Sequence, residues 1–480
     1  MILAIDIGTT SAKAALFGRD GACGSVARAD VPAITGNNPI KQEIDPRAWV
    51  SAVGTILDSL ASRSAGGLKD VECVVVSGNG PTLLPVDVAG KPLHNAITWM
   101  DRRATAETAL AEPILGRTLD PAFNLPKVLW IREHLPRLYE RTRWFSSCPE
   151  YICARLCGNW VTFLPAEGYQ EIIWDGPTLA KLGLDESKFP PFARLGSIVG
   201  DVTLKASRET GLPAGIPVVA GGPDFIASLI GTATTRPRRA CDRSGTSEGI
   251  NLCWNAPVRK DSRLLFMPHV VEPFENISGV ISTTGRAVSW FIDANGMKGG
   301  YDEFFRLAES APAGAGKLLF LPYLAGERTP LWNPDARGAF IGLSLRHGRK
   351  EMARAVAEST GFAMRDVIEV MASVGADVEE LRVTGQPAGN AVWNQIKADI
   401  TGKPILVPSF GEAELLGDLC LALVSLSDFT SIGEAAESLV SMGKTYVPDG
   451  SKKPLYDELF SLYRESYRGL APVFDRFARL

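Results

Sequence analysis

At 480 residues the chain is too long for one ordinary hydrophobic core, and two domains of about 200–250 residues each are the expectation. Its 45% hydrophobic and 22% charged residues describe a soluble globular protein, and a formal net charge of -4 lends no support to nucleic-acid binding. No apolar run reaches the roughly eighteen residues of a membrane span, and Met1 leads straight into a strand, so no cleavable leader and no membrane partner are expected. Of the eight cysteines only Cys153 and Cys157 share a helical face, and no histidine follows at zinc-site spacing. Reduced, buried thiols and a cytoplasmic location follow as the default.

Residues 1–20, MILAIDIGTTSAKAALFGRD, set the frame. Ile2, Leu3, Ala4 and Ile5 fit a buried strand, Gly8 permits a tight turn, and residues 12–17 return beside the first strand as a hairpin. Asp6 is costly to bury at the strand end unless it holds a cation or a network. Thr9, Thr10, Ser11 and Lys13 beside it supply hydroxyls, turn amides and an ammonium for oxyanions. An acid for Mg²⁺ next to donors for phosphate is nucleotide chemistry; a hairpin with a polar turn is the plainer reading.

Residues 46–61 read as an amphipathic helix with Trp49, Val53, Ile56, Leu57 and Leu60 on one side. A β-branched strand at 71–77 delivers Asn79 to a strand end, where α/β proteins place ligands. The run TWMDRR at 98–103 fits either a helix start with a solvated face or a sugar site, with Trp99 as apolar wall and Asp101 and Arg102 contacting hydroxyls. Residues 121–175 are helical and aromatic-rich.

A buried strand at 216–220 runs into Gly221-Gly222-Pro223-Asp224, where the aspartate is either a helix cap or a carboxylate at the mouth of a cleft. Residues 236–243 are basic and read as an exposed linker. The loop Ser244-Gly245-Thr246-Ser247-Glu248 is a second small-hydroxyl turn before a strand, and two such turns suit two related domains facing each other across a phosphate. Further on come a strand at 318–321, a turn-rich segment at 322–343, a long helix at 351–371, and a strand and turn ending at Gly385 before a helix over 390–400. Neither a Walker-type run nor a Rossmann glycine triplet is present, so phosphate must be gripped in another way.

The stretch DIGTTSAK resembles the first phosphate motif of the sugar kinase, hexokinase, actin and heat-shock ATPase superfamily, and the ordered set of motifs over roughly residues 2–430 resembles the FGGY carbohydrate kinases. TWMDRR is similar to that family's W-x-D-x-R substrate motif, implying Trp99, Asp101 and Arg102 as sugar-facing. GGPDFIASLIG is similar to its G-G-x-D segment, implying Asp224 as the base that takes the proton of the sugar hydroxyl. SGTSEG is similar to its G-T-S phosphate loop, implying Gly245 and Thr246, with Glu248 an unusual acidic neighbour. ISTTGRAVSWF implies Gly285 near the phosphates, while Gly385 and Asn390 fall on adenine-side positions. GERTP at 326–330 with Ala336-Arg337-Gly338 is the longest near-continuous match and implies an interdomain loop. Gln386 replaces the second glycine of a Gly-Gly pair, and Asp418 stands where a small residue is usual; both are expected on the nucleotide side.

The resemblance implies an α/β fold of two actin-like, ribonuclease H-like ATPase domains, each a mixed five-stranded sheet, with an interdomain catalytic cleft. The expected division is 1–242 for the sugar and catalytic base and 243–480 for the nucleotide. It implies an ATP-dependent kinase that uses Mg²⁺, organised by Asp6, and phosphorylates a terminal sugar hydroxyl. Thr9, Thr10, Ser11, Lys13, Gly245, Thr246, Gly285, Gly385 and Asn390 would serve the nucleotide, and Asn79, Trp99, Asp101, Arg102 and Asp224 the sugar. Closure of the domains would exclude water. A ketopentose such as D-xylulose is the first expectation, another keto sugar or a polyol the second, and a non-catalytic sugar- or nucleotide-binding regulator the alternative of another class. A homodimer is the family-like default.

Overall fold

A computed structural model describes the chain except residues 35–37, 39 and 65 and the side chains of Gln386 and Pro387. Its contacts divide it into two units, Met1–Gly231 with Glu414–Leu439, and Thr232–Ala413 with Val440–Leu480. No helix among the described residues is long and apolar enough to cross a membrane. All eight cysteines are free thiols; seven are buried as expected, and Cys23 is exposed.

The first unit is built on strands β1 (Ile2–Ile7), β2 (Ser11–Phe17), β3 (Cys23–Asp30), β4 (Cys73–Gly78), β5 (Ile198–Asp201) and β6 (Pro217–Pro223), in the order β5-β6-β4-β1-β2-β3. Every residue of β1 is buried, which explains a run apolar on both faces instead of an alternating one. β1, β2 and β3 form an antiparallel meander, whereas β4 runs parallel to β1 and β6 parallel to β4. The parallel β1–β4 pair needs a crossover, and helix α1 (Pro46–Arg63) lies in it. Asp45 caps α1 by accepting the Arg47 N–H, Pro46 fills the first turn, and the predicted apolar stripe from Trp49 to Leu60 is buried.

The register sets the chemistry. Asp6 stands opposite Lys13 on β2 and beside Ser77 on β4. At the end of β6 the register shifts between Ala220 and Gly222. Two glycines are needed there: a Cβ on Gly221 would stand 2.4 Å from the Val76 carbonyl oxygen, and Gly222 has φ +99°. The bulge leads into helix α2 (Asp224–Gly231).

The second unit repeats the plan with β7 (Arg239–Ser244), β8 (Glu248–Trp254), β9 (Leu265–Pro268), β10 (Glu275–Ile281), β11 (Glu380–Thr384), β12 (Ile405–Pro408) and β13 (Met442–Tyr446), ordered β9-β10-β8-β7-β11-β12-β13. The meander β7-β8-β10 matches β1-β2-β3, the parallel run β7-β11-β12 matches β1-β4-β6, and antiparallel β13 matches β5. The sheets therefore have six and seven strands where five each were expected, because each carries an antiparallel edge strand and the second adds β9. Helices α3 (Gly285–Ala294), α4 (Gly300–Ser310), α5 (Arg349–Ser373), α6 (Ala391–Thr401) and α8 (Lys453–Phe477) pack in this unit, and α7 (Ala413–Ser425) carries the chain back to the first.

One linker expectation is corrected. Residues 239–244 form central strand β7, not an exposed connection, and Ala240, Cys241 and Asp242 are fully buried. Arg236 and Arg238, before the strand, are exposed as expected, while Arg239 at its start is paired with Glu380 at 3.1 Å. Position 242/243 thus falls inside a strand.

Candidate active site

Each of the two sheets carries a small-residue turn at the corresponding place, and each unit has its own cluster of candidate residues. In the first unit the Gly8 N–H donates to the Ser11 carbonyl at 2.9 Å, and a Cβ on Gly8 would lie 2.8 Å from that oxygen. Asn79 holds this turn from the neighbouring strand end. Its amide donates to the carbonyls of Ile7 (2.9 Å) and Gly8 (3.2 Å) and its oxygen accepts from Thr82 Oγ1 at 2.6 Å. Only 1% exposed, Asn79 has its amide engaged by this turn, whereas the resemblance implies a sugar-facing residue. Thr10 is exposed on the turn, Ser11 half-buried, and Thr9 Oγ1 accepts the indole N–H of Trp99 at 3.0 Å.

Asp6 is 4% exposed and sits in a cluster with Lys13 Nζ at 3.6 Å. Lys13 is held more closely by Glu414 at 2.6 Å, and Glu414 also accepts from Ser228 Oγ at 2.8 Å. The Ser77 hydroxyl lies 3.2 Å from Asp6 and 2.7 Å from Asp418. It carries one proton for two acids, so one of them must bring its own. Burial, with Asp6 and Glu414 adding negative charge, pushes the Asp418 carboxyl well above the usual carboxylate range, which makes Asp418 the protonated member. Asp418 was expected on the nucleotide side. Instead α7 returns to the first unit and buries it beside Ser77, and Gly417 permits the approach, since a Cβ there would stand 2.0 Å from the Ala227 carbonyl.

Asp224 opens α2 directly after the glycine bulge and is 9% exposed. Asp6 and Asp224 belong to one neighbourhood: burial pushes the Cys148 thiol up, and the negative charges of both carboxylates push it further. The substrate-motif residues are arranged differently from the expectation. Asp101 is fully buried, accepting from Gln42 N at 2.6 Å, Arg103 Nε at 2.9 Å and Arg103 Nη2 at 2.7 Å. Arg103, the arginine that W-x-D-x-R spacing selects, also pairs with Glu43 at 2.6 Å and lies over Trp130. Arg102, 37% exposed, pairs with Asp120. Trp99 is half-buried.

In the second unit a cavity of about 610 Å³ is lined by Gly245, Thr246, Gly285, Tyr301, Gly389 and Asn390, among others. Its volume suits a small ligand or cofactor. The Gly245–Ser247 turn is knitted to the start of α3: the N–H groups of Gly285 and Arg286 donate to the carbonyls of Gly245 and Thr246, each at 3.2 Å. This contact requires Gly285, whose Cβ would lie 2.2 Å from the Gly245 oxygen. Gly385 has φ +96° and a Cβ there would meet the Ser244 oxygen at 2.0 Å. Asn390 caps α6 by accepting the Trp393 N–H at 2.9 Å. Phe305 and Tyr301 add aromatic wall that sequence reasoning missed, because they lie on a helix with no motif of its own. Glu248 does not face the cavity turn as an extra acid; it is fully buried and contacts Lys397. The expectation for Gln386 falls on a side chain outside those described.

The glycine-lined turn at Gly245 fits a polyphosphate, and the cavity beside it has room and aromatic wall for a base. No group of three ligating side chains that could hold a metal exists among the described residues. The single carboxylate of Asp6 fits a hydrated Mg²⁺ shared with phosphates, the usual way this ion is held.

The two sheets of one plan, each with a small-residue turn, define an ATPase-like kinase architecture. The models of the N-terminal and C-terminal domains of the FGGY family of carbohydrate kinases match residues 1–231 and 243–426. The chain belongs to the FGGY family of carbohydrate kinases, and is thus an ATP-dependent sugar phosphotransferase. It is 29% identical over 483 residues to xylulose kinase of Staphylococcus epidermidis, covering 98% of this chain and 96% of that one. Gluconokinase of Bacillus subtilis is 25% identical, over 100% of this chain and 96% of its own. The crystal structure of xylulose kinase from Rhodospirillum rubrum superposes with a TM-score of 0.86 at 26% identity, covering 98% of this chain and 99% of the other.

Proposed function

We propose that the enzyme transfers the γ-phosphoryl group of ATP to a terminal hydroxyl of a small sugar, D-xylulose being the first candidate. The observation that carries this is the placement of Asp224: a carboxylate at the first position of a helix, aimed by a two-glycine bulge, in the neighbourhood of Asp6. Asp224 accepts the proton of the attacking hydroxyl as the oxygen approaches phosphorus in line. Trp99 forms an apolar wall for the sugar, and its indole N–H braces the turn at Thr9. Thr10 and Ser11 offer hydroxyls for phosphate oxygens in the first unit; in the second, Gly245 and Thr246 line the nucleotide cavity that Gly285, Gly385 and Asn390 shape. Mg²⁺, when bound with ATP, supplies charge neutralisation, with Asp6 orienting its waters. Lys13, drawn to Glu414, balances the charge of this acidic cluster.

The relatives named xylulose kinase support D-xylulose, and the gluconokinase relative makes D-gluconate the competitor. Sugar binding is assigned to the first unit and nucleotide binding to the second, with the division at 231/232 in place of the expected 242/243. The test is ADP release with Mg-ATP against ketopentoses, ketohexoses, gluconate and polyols, run in parallel on Asp224→Asn. Turnover with D-xylulose well above the sugar-free rate, lost in the variant while ADP still binds, is the expected result. Turnover with gluconate alone would replace the substrate, and ADP binding without turnover on any compound would make the protein a sensor.

A further inference from the structure

Lys397 lies in the second unit, two helical turns into α6, below Asn390. It is 2% exposed, and its ammonium reaches three oxygens: Asp242 Oδ2 and Ser244 Oγ at 2.9 Å each and Glu248 Oε1 at 2.5 Å. Ser244 also donates to Asp242 Oδ1 at 2.8 Å. Asp242 and Ser244 end β7, Glu248 begins β8, and the turn Gly245–Ser247 lies between them. A buried ion cluster of this kind is a weak source of stability compared with apolar packing, so its place in the fold is the informative fact. Here it ties both stems of the phosphate turn to the helix whose cap, Asn390, lines the same cavity.

We propose that Lys397 is a positioning residue for the phosphate turn, fixing Gly245 and Thr246 against the Asn390 end of α6 so that the cavity holds a nucleoside diphosphate. The inference rests on the nucleotide reading of that cavity. The cluster also carries a charge consequence. It has two carboxylates for one ammonium, and Glu248 Oε2 has no hydrogen-bond partner. Burial, aided by Asp242, pushes Glu248 up to about 8, and Lys397 is held above its ordinary value by the two acids. The charged groups facing Glu248 are Asp242 from β7 and Lys397 from α6; its register neighbour on β10, Ile281, is apolar. Raising the pH through about 8 takes a proton from Glu248 and so adds a negative charge beneath a turn that must hold an anion.

The experiment is calorimetric titration of the full chain with ADP from about pH 7 to about pH 9.5 for the wild type, Glu248→Gln and Lys397→Met. The wild type should weaken about three- to tenfold across that range, Glu248→Gln should stay flat, and Lys397→Met should bind at least about tenfold more weakly at neutral pH. In turnover the loss should fall on the KM for ATP and leave the KM for sugar unchanged. Should Lys397→Met fail to fold, Glu248→Gln carries the test, since glutamine keeps the contact and removes the titration. A Glu248→Gln profile parallel to the wild type, or wild-type affinity in folded Lys397→Met, overturns this inference alone. Absence of ADP binding by the wild type overturns it together with the nucleotide reading.

Discussion

The indole N–H of Trp99 donates to the hydroxyl of Thr9 at 3.0 Å, joining the wall assigned to the sugar to the turn assigned to phosphate within a single unit. A bond of this kind contributes about 0.5–1.5 kcal/mol, a factor of about 2–12. Trp99→Phe and Thr9→Val should each lower kcat/KM for the sugar by about that factor, and the double variant should be no worse than the poorer single. Additive losses in the cycle would show that the two side chains act separately.

The two arginines of TWMDRR should behave oppositely. Arg103→Met strands the fully buried Asp101 carboxylate and should cost about 3–5 kcal/mol, seen as a large drop in Tm. Arg102→Ala breaks a partly exposed pair with Asp120 and should cost no more than about 1 kcal/mol. Thermal unfolding of the full chain decides it, and equal effects would contradict the burial of Asp101.

At Gly285 even one methyl group should disturb the nucleotide side. Its Cβ would fall 2.2 Å from the Gly245 carbonyl oxygen, whereas a Cβ on Gly389, in the wall of the same cavity, meets nothing within 4 Å. Gly285→Ala should therefore weaken ADP binding more than about tenfold, and Gly389→Ala far less, with titration calorimetry as the check. Equal affinities would mean that the turn moves freely.

His269 should make stability depend on acid. It is fully buried, its Nε2 facing the Thr234 carbonyl at 3.0 Å while Nδ1 accepts the Val271 N–H, an arrangement that requires the neutral ring. Burial lowers it to about 4 from an ordinary 6.5. The unfolded chain takes up its proton first, so this contribution is intact above about pH 6.5 and falls away toward pH 4, by about 3 kcal/mol in all. Denaturant unfolding of His269→Gln should show a shallower decline over that window than the wild type.

Much of the plan was legible because it depends on local signals. The buried run of β1, the glycine turns at Gly8 and Gly245, and the glycine pair before Asp224 are written in consecutive residues, and each lies where periodicity or turn chemistry puts it. What escaped depends on register between distant segments. Asn79 looks free in sequence, yet its carboxamide is taken up by carbonyls seventy residues earlier. Asp242 hides in a basic stretch because nothing nearby announces Lys397, and the place of Asp418 depends on Ser77, 341 residues earlier. Arg103 was within reach: counting W-x-D-x-R from Trp99 selects it directly.

The chain passes between its two units three times, after residues 231, 413 and 439. During synthesis β1 is made long before α7, and its unit is incomplete until α7 supplies Glu414 and Asp418, Glu414 lying 401 residues after Lys13. Until then Lys13 and Ser77 lack their partners from α7. The nascent first unit must wait, with its acidic cluster open, while most of the second is translated. An N-terminal fragment cut at 231 reproduces that waiting state and is a poor substitute for the whole.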